Sequence, residues 1–171
     1  MITSDTHVPS VARVRLVSDS TDQTRSLAAA LAQVAQPGDR LALIGPLGAG
    51  KTQFAKGFAS GLGIEQVVNS PSFTLMAEYE GRLTLFHQDL YRLAGAVEIL
   101  AGGLLDERQD AGVTLSEWAD RLDEGLDPAR LTVALEPTGE TTRDIEISGH
   151  GEVAARYLAA ARAWRPTGSG R

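Results

Sequence analysis

The chain has 171 residues, 22 acidic against 16 basic, giving a formal net charge of −6, and 43% of it is apolar. A chain of this length buries about 70% of its unfolded surface, enough for one core without covalent staples. It has no cysteine, which excludes disulfides, thiolate zinc sites and a cysteine nucleophile, and its acidic balance supplies no basic face for independent nucleic-acid binding.

Met1 to Ser10 is polar, contains Pro9, and carries neither a basic cluster nor an apolar h-region, so it reads as a frayed arm rather than a secretory signal. Arg13 to Val17 alternates charged and apolar residues, as a half-buried strand does. Ser20-Thr21-Asp22-Gln23 fits a capping box, with Ser20 at the N-cap and Gln23 reaching back. Leu27, Leu31 and Val34 then follow at helical spacing, and Pro37-Gly38-Asp39 ends that helix. The longest apolar stretch, Leu27 to Ala35, is broken by Gln33 and falls well short of the roughly 20 residues a bilayer requires. The expected setting is therefore cytoplasmic.

Leu41 to Ile44 is a continuous apolar run bounded by turn signals, the pattern of a strand buried on both faces. A glycine-rich loop spans Gly45 to Gly50, and a helix is expected from Lys51 to about Leu62, with Phe54, Phe58 and Leu62 on one face and Gly57 and Gly61 allowing close backbone packing. Phe73 to Tyr79 and Leu83 to His87 read as a hairpin around Glu80-Gly81-Arg82. Val97 to Ala101 suggests a short helix, Val113 to Ser116 a strand, and Leu131 to Glu136 and Asp144 to Ser148 two more strands around a Pro137-Thr138-Gly139 turn. Glu152 to Trp164 is a final alanine-rich helix. The order predicts an α/β fold, a three-layer P-loop NTPase-like sandwich with a mixed, partly parallel central sheet. One domain is expected over 12–164, with flexible termini at 1–11 and 165–171.

Gly45-Pro46-Leu47-Gly48-Ala49-Gly50-Lys51-Thr52 matches GxxxxGK[ST]. Such glycines let successive backbone N–H groups converge on phosphate oxygens, and the following helix adds its positive end. Lys51 is placed to reach the β- and γ-phosphates, and the Thr52 hydroxyl to ligate Mg2+. The competing interpretation, a glycine-rich turn with a solvated lysine, explains neither the apolar strand before the motif nor the amphipathic helix after it. The binding set read from this segment is Gly45, Gly48, Ala49, Gly50, Lys51, Thr52 and Gln53, for a nucleotide's phosphates with Mg2+. A second acid is needed on the metal side. Asp89 and Glu117 both stand at or just after apolar strands, and either could serve. On its residues alone Ser70 to Thr74 reads as an ordinary turn set by Pro71 rather than as a switch that senses phosphate; His87, at a strand end, reads as structural before catalytic. A Ras-like GTPase is excluded, because lysine occurs only at 51 and 56 and no NKxD or DxxG motif exists. A small-molecule kinase stays open, although no basic lid is evident.

Gly45 to Thr52, Ser70-Pro-Ser-Phe-Thr74, His87-Gln-Asp-Leu-Tyr-Arg-Leu93 and Glu117-Trp118, in that order, resemble the TsaE (YjeE) family. The resemblance implies an ATP-binding, weakly hydrolysing subunit of the bacterial machinery that makes threonylcarbamoyladenosine on tRNA, with partners similar to TsaD and TsaB and contact with tRNA only through that complex. It also implies catalytic roles for Lys51, Asp89 and Glu117, with Thr52 and Glu117 on the metal. Ser70 and Thr74 would belong to a switch loop, Trp118 would lie beside the nucleotide, Thr24 near its base, and Arg143 is a looser match. Three residues depart from the family pattern: Pro46 where aspartate is common, Ser72 for threonine, and Ser116 for an apolar residue, which predicts a wetter strand end. A nucleotide-gated binding module without obligatory hydrolysis is the alternative function.

Overall fold

The computed structural model describes residues 11–71, 76–90, 107–118 and 130–166. Among these residues one sheet contains β1 (Ala12–Ser18), β2 (Arg40–Ile44), β3 (Met76–Tyr79), β4 (Leu85–Asp89), β5 (Val113–Glu117), β6 (Leu131–Pro137) and β7 (Arg143–Gly149), in the spatial order β1-β7-β6-β2-β5-β4-β3. The helices are α1 (Thr21–Ala32), α2 (Lys51–Gly61) and α3 (Gly151–Ala163), with a short 3-10 turn at Glu107–Ala111. The expected α/β architecture with a mixed sheet is thus what the chain adopts.

β2 lies parallel to both of its neighbours, β5 and β6, and β4 is parallel to β5. This explains the unbroken apolar run at Leu41 to Ile44, since a central parallel strand is covered on both faces. β6, β7 and β1 form an antiparallel flank. There Leu131, Val133, Leu135, Ile145 and Ile147 enter the core on alternate residues, while exposed Arg15 pairs with Glu146 at 2.9 Å. Period-two alternation in the sequence records this one-sided burial.

α1 and α2 pack backbone to backbone. A Cβ at Gly57 would meet the Arg25 Cα at 2.5 Å, and one at Gly61 would meet the Ala29 carbonyl oxygen at 2.5 Å. Leu27, Leu31, Phe54 and Phe58 are fully buried and fill the space these helices share with the sheet. α3 packs on α1, β1 and β7. At its foot Asp39 accepts from Arg156 Nη2 at 2.8 Å, Tyr157 Oη at 2.6 Å and the Gln36 N–H at 2.9 Å.

Several sequence readings shift in detail. Ser20 caps α1, its hydroxyl accepting from the Gln23 N–H at 3.1 Å, but the Gln23 side chain reaches the Asp19 N–H at 2.8 Å, one residue before the cap. The hairpin forms as β3 and β4, yet β4 starts at Leu85 rather than Leu83. The connection is pulled onto the helices instead: Arg82 donates to Ala32 O at 2.7 Å and its N–H to Leu62 O at 2.7 Å. Pro137 ends β6, so the turn falls on the residues after it. Ser116 is not wet. It is buried, and its hydroxyl donates to Gln88 Oε1 at 2.9 Å, satisfying the polar group that the apolar residue would have avoided. The arm at Met1 to Ser10, the start of the expected strand at Phe73, and the helix at Val97 to Ala101 lie outside the described residues. No helix among the described residues is long and apolar enough to cross a membrane.

Candidate functional site

Strands β2, β4 and β5 run parallel, so their carboxyl ends share one edge of the sheet. The register pairs Leu43 with Glu117 and Glu117 with Asp89. The glycine loop leaves β2 at this edge and two carboxylates stand beside it, in the crevice where open α/β sheets bind ligands. Gly50 takes φ 102, a left-handed conformation that favours glycine, and acts as N-cap of α2 without any side-chain cap. α1, by contrast, is capped by Ser20. The amino end of α2, where the helix dipole is positive, therefore lines the cavity, a setting that favours a negatively charged ligand.

Glu117 is 2% exposed and joins three elements. Thr52 Oγ1 donates to its Oε1 at 3.0 Å, and His87 Nε2 lies 2.6 Å from its Oε2. Asp89, the last residue of β4, accepts from Ser70 Oγ at 2.6 Å. Lys51 is folded back over its own loop. Its ammonium donates to the carbonyls of Gly45 and, at 2.8 Å, Pro46, and sits 3.7 Å from the Trp118 ring centroid. Trp118 adopts φ 57, left-handed for a bulky residue, a conformation that costs about 1–3 kcal/mol and persists where surrounding structure enforces it. Here it sets the indole face against the Lys51 charge.

A family model described as "Threonylcarbamoyl adenosine biosynthesis protein TsaE" matches residues 18–145, which contain both strand-end acids and the whole phosphate loop. The chain belongs to the TsaE family. The TsaE protein of Bacillus subtilis is 44% identical over 131 residues, covering 76% of this chain and 82% of that one. The TsaE protein of Treponema pallidum is 37% identical over 135 residues, covering 79% of this chain and all of its own. The crystal structure of Bacillus subtilis YdiB is similar with a TM-score of 0.75 at 36% identity, over 90% of this chain and 96% of that one.

In this TsaE family member the cavity measures about 530 Å³, within the roughly 300–1,000 Å³ typical of small-molecule sites. Its wall includes Gly48, Ala49, Gly50, Lys51, Thr52, Gln53, Ser70, Asp89, Glu117, Trp118, Thr24 and Arg143. Gly45 is not on that wall. It lies behind the loop, where it lines a second groove and its carbonyl holds Lys51. Thr74 lies outside the described residues. Three further wall residues have internal partners. Arg143 donates from Nε to Ala49 O and from Nη2 to Gly48 O, both at 3.1 Å, and from Nη1 to Thr142 O at 2.8 Å. It straps the β6–β7 turn to the phosphate loop. Gln53 accepts from Arg25 Nε at 2.8 Å, and Thr24 Oγ1 shares a hydrogen bond with Ser18 Oγ at 2.8 Å. Ser20, Thr21, Leu47, Glu140 and Thr141 complete the wall without having been singled out from the sequence. Ser20 carried only a capping signal, and Glu140-Thr141 is an ordinary polar turn whose approach to the loop depends on the β6–β7 pairing.

Proposed function

We propose that this chain binds ATP with Mg2+ in the cavity, hydrolyses it slowly, and thereby drives turnover of the complex that makes threonylcarbamoyladenosine on tRNA. The observation that carries this reading is the convergence of the phosphate loop with Asp89 and Glu117 at the ends of adjacent parallel strands. The named relatives are tRNA threonylcarbamoyladenosine biosynthesis proteins, and that assignment is the basis for the biological task.

The donor set suits Mg2+. Thr52 and Glu117 present hard oxygen donors 3.0 Å apart at the head of α2, and the described residues contain no group of three His, Cys, Asp or Glu side chains that could cage an ion. An ion held by one carboxylate, one hydroxyl, waters and phosphate oxygens fits that count. When bound, Mg2+ supplies charge neutralisation on the phosphates. Lys51 leaves its carbonyl partners to meet the β- and γ-phosphates, and the N–H groups at the start of α2 receive phosphate oxygens. Asp89 orients the attacking water, with Ser70 reporting the occupancy of the γ-phosphate position through its bond to that carboxylate. Hydrolysis transfers the γ-phosphoryl group to that water and leaves ADP. The tRNA chemistry itself resides in a TsaD-like partner, with a TsaB-like protein completing the assembly, a division that suits a chain whose formal net charge is −6.

The test is multiple-turnover tRNA modification reconstituted with the partner proteins. Asp89→Ala should bind ATP yet fail to sustain repeated rounds, and the partners should raise the ATPase rate of the native chain. Full modification by the Asp89→Ala form would reject hydrolysis-driven turnover and favour a module gated by nucleotide binding alone.

A further inference from the structure

The register of β4 on β5 pairs Asp89 with Glu117 and His87 with Leu115. Register partners and alternate residues share a face, so His87, Asp89 and Glu117 all lie on one side of the sheet, while Gln88 and Ser116 pair on the other. His87 is fully buried and its Nε2 stands 2.6 Å from Glu117 Oε2. The opposite carboxylate oxygen accepts from Thr52 at 3.0 Å. Glu117 is thus gripped at both oxygens, by the phosphate-loop helix on one side and by a neighbouring strand on the other.

The chemistry fixes which nitrogen carries the proton. With Glu117 ionised, as a metal-side acid must be, a lone pair on Nε2 facing its oxygen at 2.6 Å would be repulsive, so Nε2–H donates. Nδ1 has no hydrogen-bond partner among the described residues, and an unprotonated nitrogen is the less costly group to leave there than an N–H. Packing alone does not ask for an imidazole at a position with no solvent exposure; an apolar side chain would fill it without any polar group to satisfy.

We propose that His87 is a positioning residue for the metal side of the site, fixing the Glu117 carboxylate so that Oε1 faces the Thr52 hydroxyl. This rests on the reading of Glu117 as the metal-side acid. Outer partners of metal-ligating carboxylates commonly set metal affinity by about 10–100-fold. The donor on Oε2 confines the rotation of the Glu117 carboxylate about its own axis.

The experiment measures ADP affinity by calorimetry at rising magnesium concentration and in EDTA, using the full chain. His87→Leu should keep metal-free ADP binding within about threefold while losing about 10–100-fold of the magnesium-dependent gain. His87→Gln, whose Nε2 can reach the same oxygen, should recover most of it. Equal magnesium gain in native, His87→Leu and His87→Gln proteins would overturn the proposal, and so would an equal loss of metal-free and metal-dependent binding in both variants. Glu117→Gln separates the two levels of the argument: if it retains the full magnesium gain, the assignment of Glu117 fails, whereas if it loses the gain and His87→Leu does not, only the role of His87 fails. A second measurement needs no variant to fold. In the native protein the His87 imidazole N–H should be slow to exchange, reside on Nε2, and shift on adding magnesium to the ADP complex. A proton on Nδ1, or a signal indifferent to magnesium, would refute the positioning role.

Discussion

The Lys51 ammonium is held by two loop carbonyls and by the Trp118 face, so it is already desolvated. On the proposed function, phosphate binding would exchange these weak acceptors for anionic ones. Lys51→Ala should weaken ATP binding by about 10–100-fold, the worth of a hydrogen bond to a charged group. Lys56, half-buried along α2 and 3.5 Å from Asn69 Oδ1, is absent from the cavity wall and should change it by less than about twofold on truncation. Calorimetry giving equal affinities for the two variants would remove Lys51 from the site. The same geometry makes Trp118 a reporter. Withdrawal of a cation 3.7 Å from its ring should alter indole emission on nucleotide addition. Trp164 donates to Ser26 Oγ at 3.2 Å, away from the cavity, and should be silent. Fluorescence titration of Trp118→Phe should therefore be flat; a response that persists there and disappears in Trp164→Phe would contradict the placement of the ring. At this scale the phosphate loop was legible because its motif is local, all within eight residues. Arg143 was legible as a site residue but not in its function, because the targets of its guanidinium are loop carbonyls some 94 and 95 positions away in sequence.

The elements were readable to the extent that burial was periodic. β2, β6, β7, α1 and α2 announced themselves through apolar runs and spacing and α3 through its alanine content, and the glycines of α2 signalled close packing. What the sequence did not contain was registry. Asp89 and Glu117 could be named as strand-end acids, but only the parallel β4–β5 pairing puts them opposite each other, and only the β6–β7 turn carries Glu140 and Thr141 to the cavity. Ser116 misled for a related reason: its partner Gln88 comes from the adjacent strand, so a polar residue that looked wet is internally satisfied. The α1–α2 contact yields a prediction of its own. Alanine at Gly57 would bring Cβ against the backbone of Arg25, with Cα at 2.5 Å and the carbonyl carbon at 2.7 Å. Backbone cannot swing aside as a side chain can, so the helices must separate. Gly57→Ala should cost about 2–3 kcal/mol, lowering the Tm by about 5–10 °C for a chain of this size. Because Arg25 holds Gln53 beside the phosphate loop, nucleotide affinity should fall too. Ser60→Ala, exposed on the same helix, should stay within about 0.5 kcal/mol. Thermal unfolding with equal Tm values for the two variants would show that the helices are not pinned at Gly57.

Across the whole molecule, the amino end of β2 is fastened as firmly as its carboxyl end is left open for a ligand. Asp39 immediately precedes that strand and is 4% exposed. Arg156 reaches it from α3 and also donates to Val34 O at 2.7 Å beyond the end of α1, so one carboxylate joins both helices to the central strand. Burial by itself would raise the Asp39 carboxyl, but hydrogen bonds from Arg156, Tyr157 and the Gln36 N–H, together with the Arg156 charge, hold it below the ordinary carboxylate value. Burial and the same carboxylate push the Tyr157 phenol far upward, so it stays a neutral donor. The sign of the linkage follows. A carboxyl whose folded pKa lies below its unfolded value of about 3.9 contributes stability that is complete above that value. That contribution declines as pH falls below it and is gone once the folded pKa has been passed. Asp39→Asn cannot ionise and leaves Arg156 without its counter-charge. It should lose about 3 kcal/mol at neutral pH, as broken buried pairs do, and its unfolding free energy should fall less steeply on acidification. Urea unfolding from about pH 6 to about pH 2 measures both effects. Parallel curves for native and Asp39→Asn proteins would mean that another carboxylate governs the acid limb. Asp39 stands at the edge of the sheet opposite the phosphate loop, so Asp39→Asn should, while folded at neutral pH, bind nucleotide as the native chain does, separating the fastening of the molecule from the working of its site.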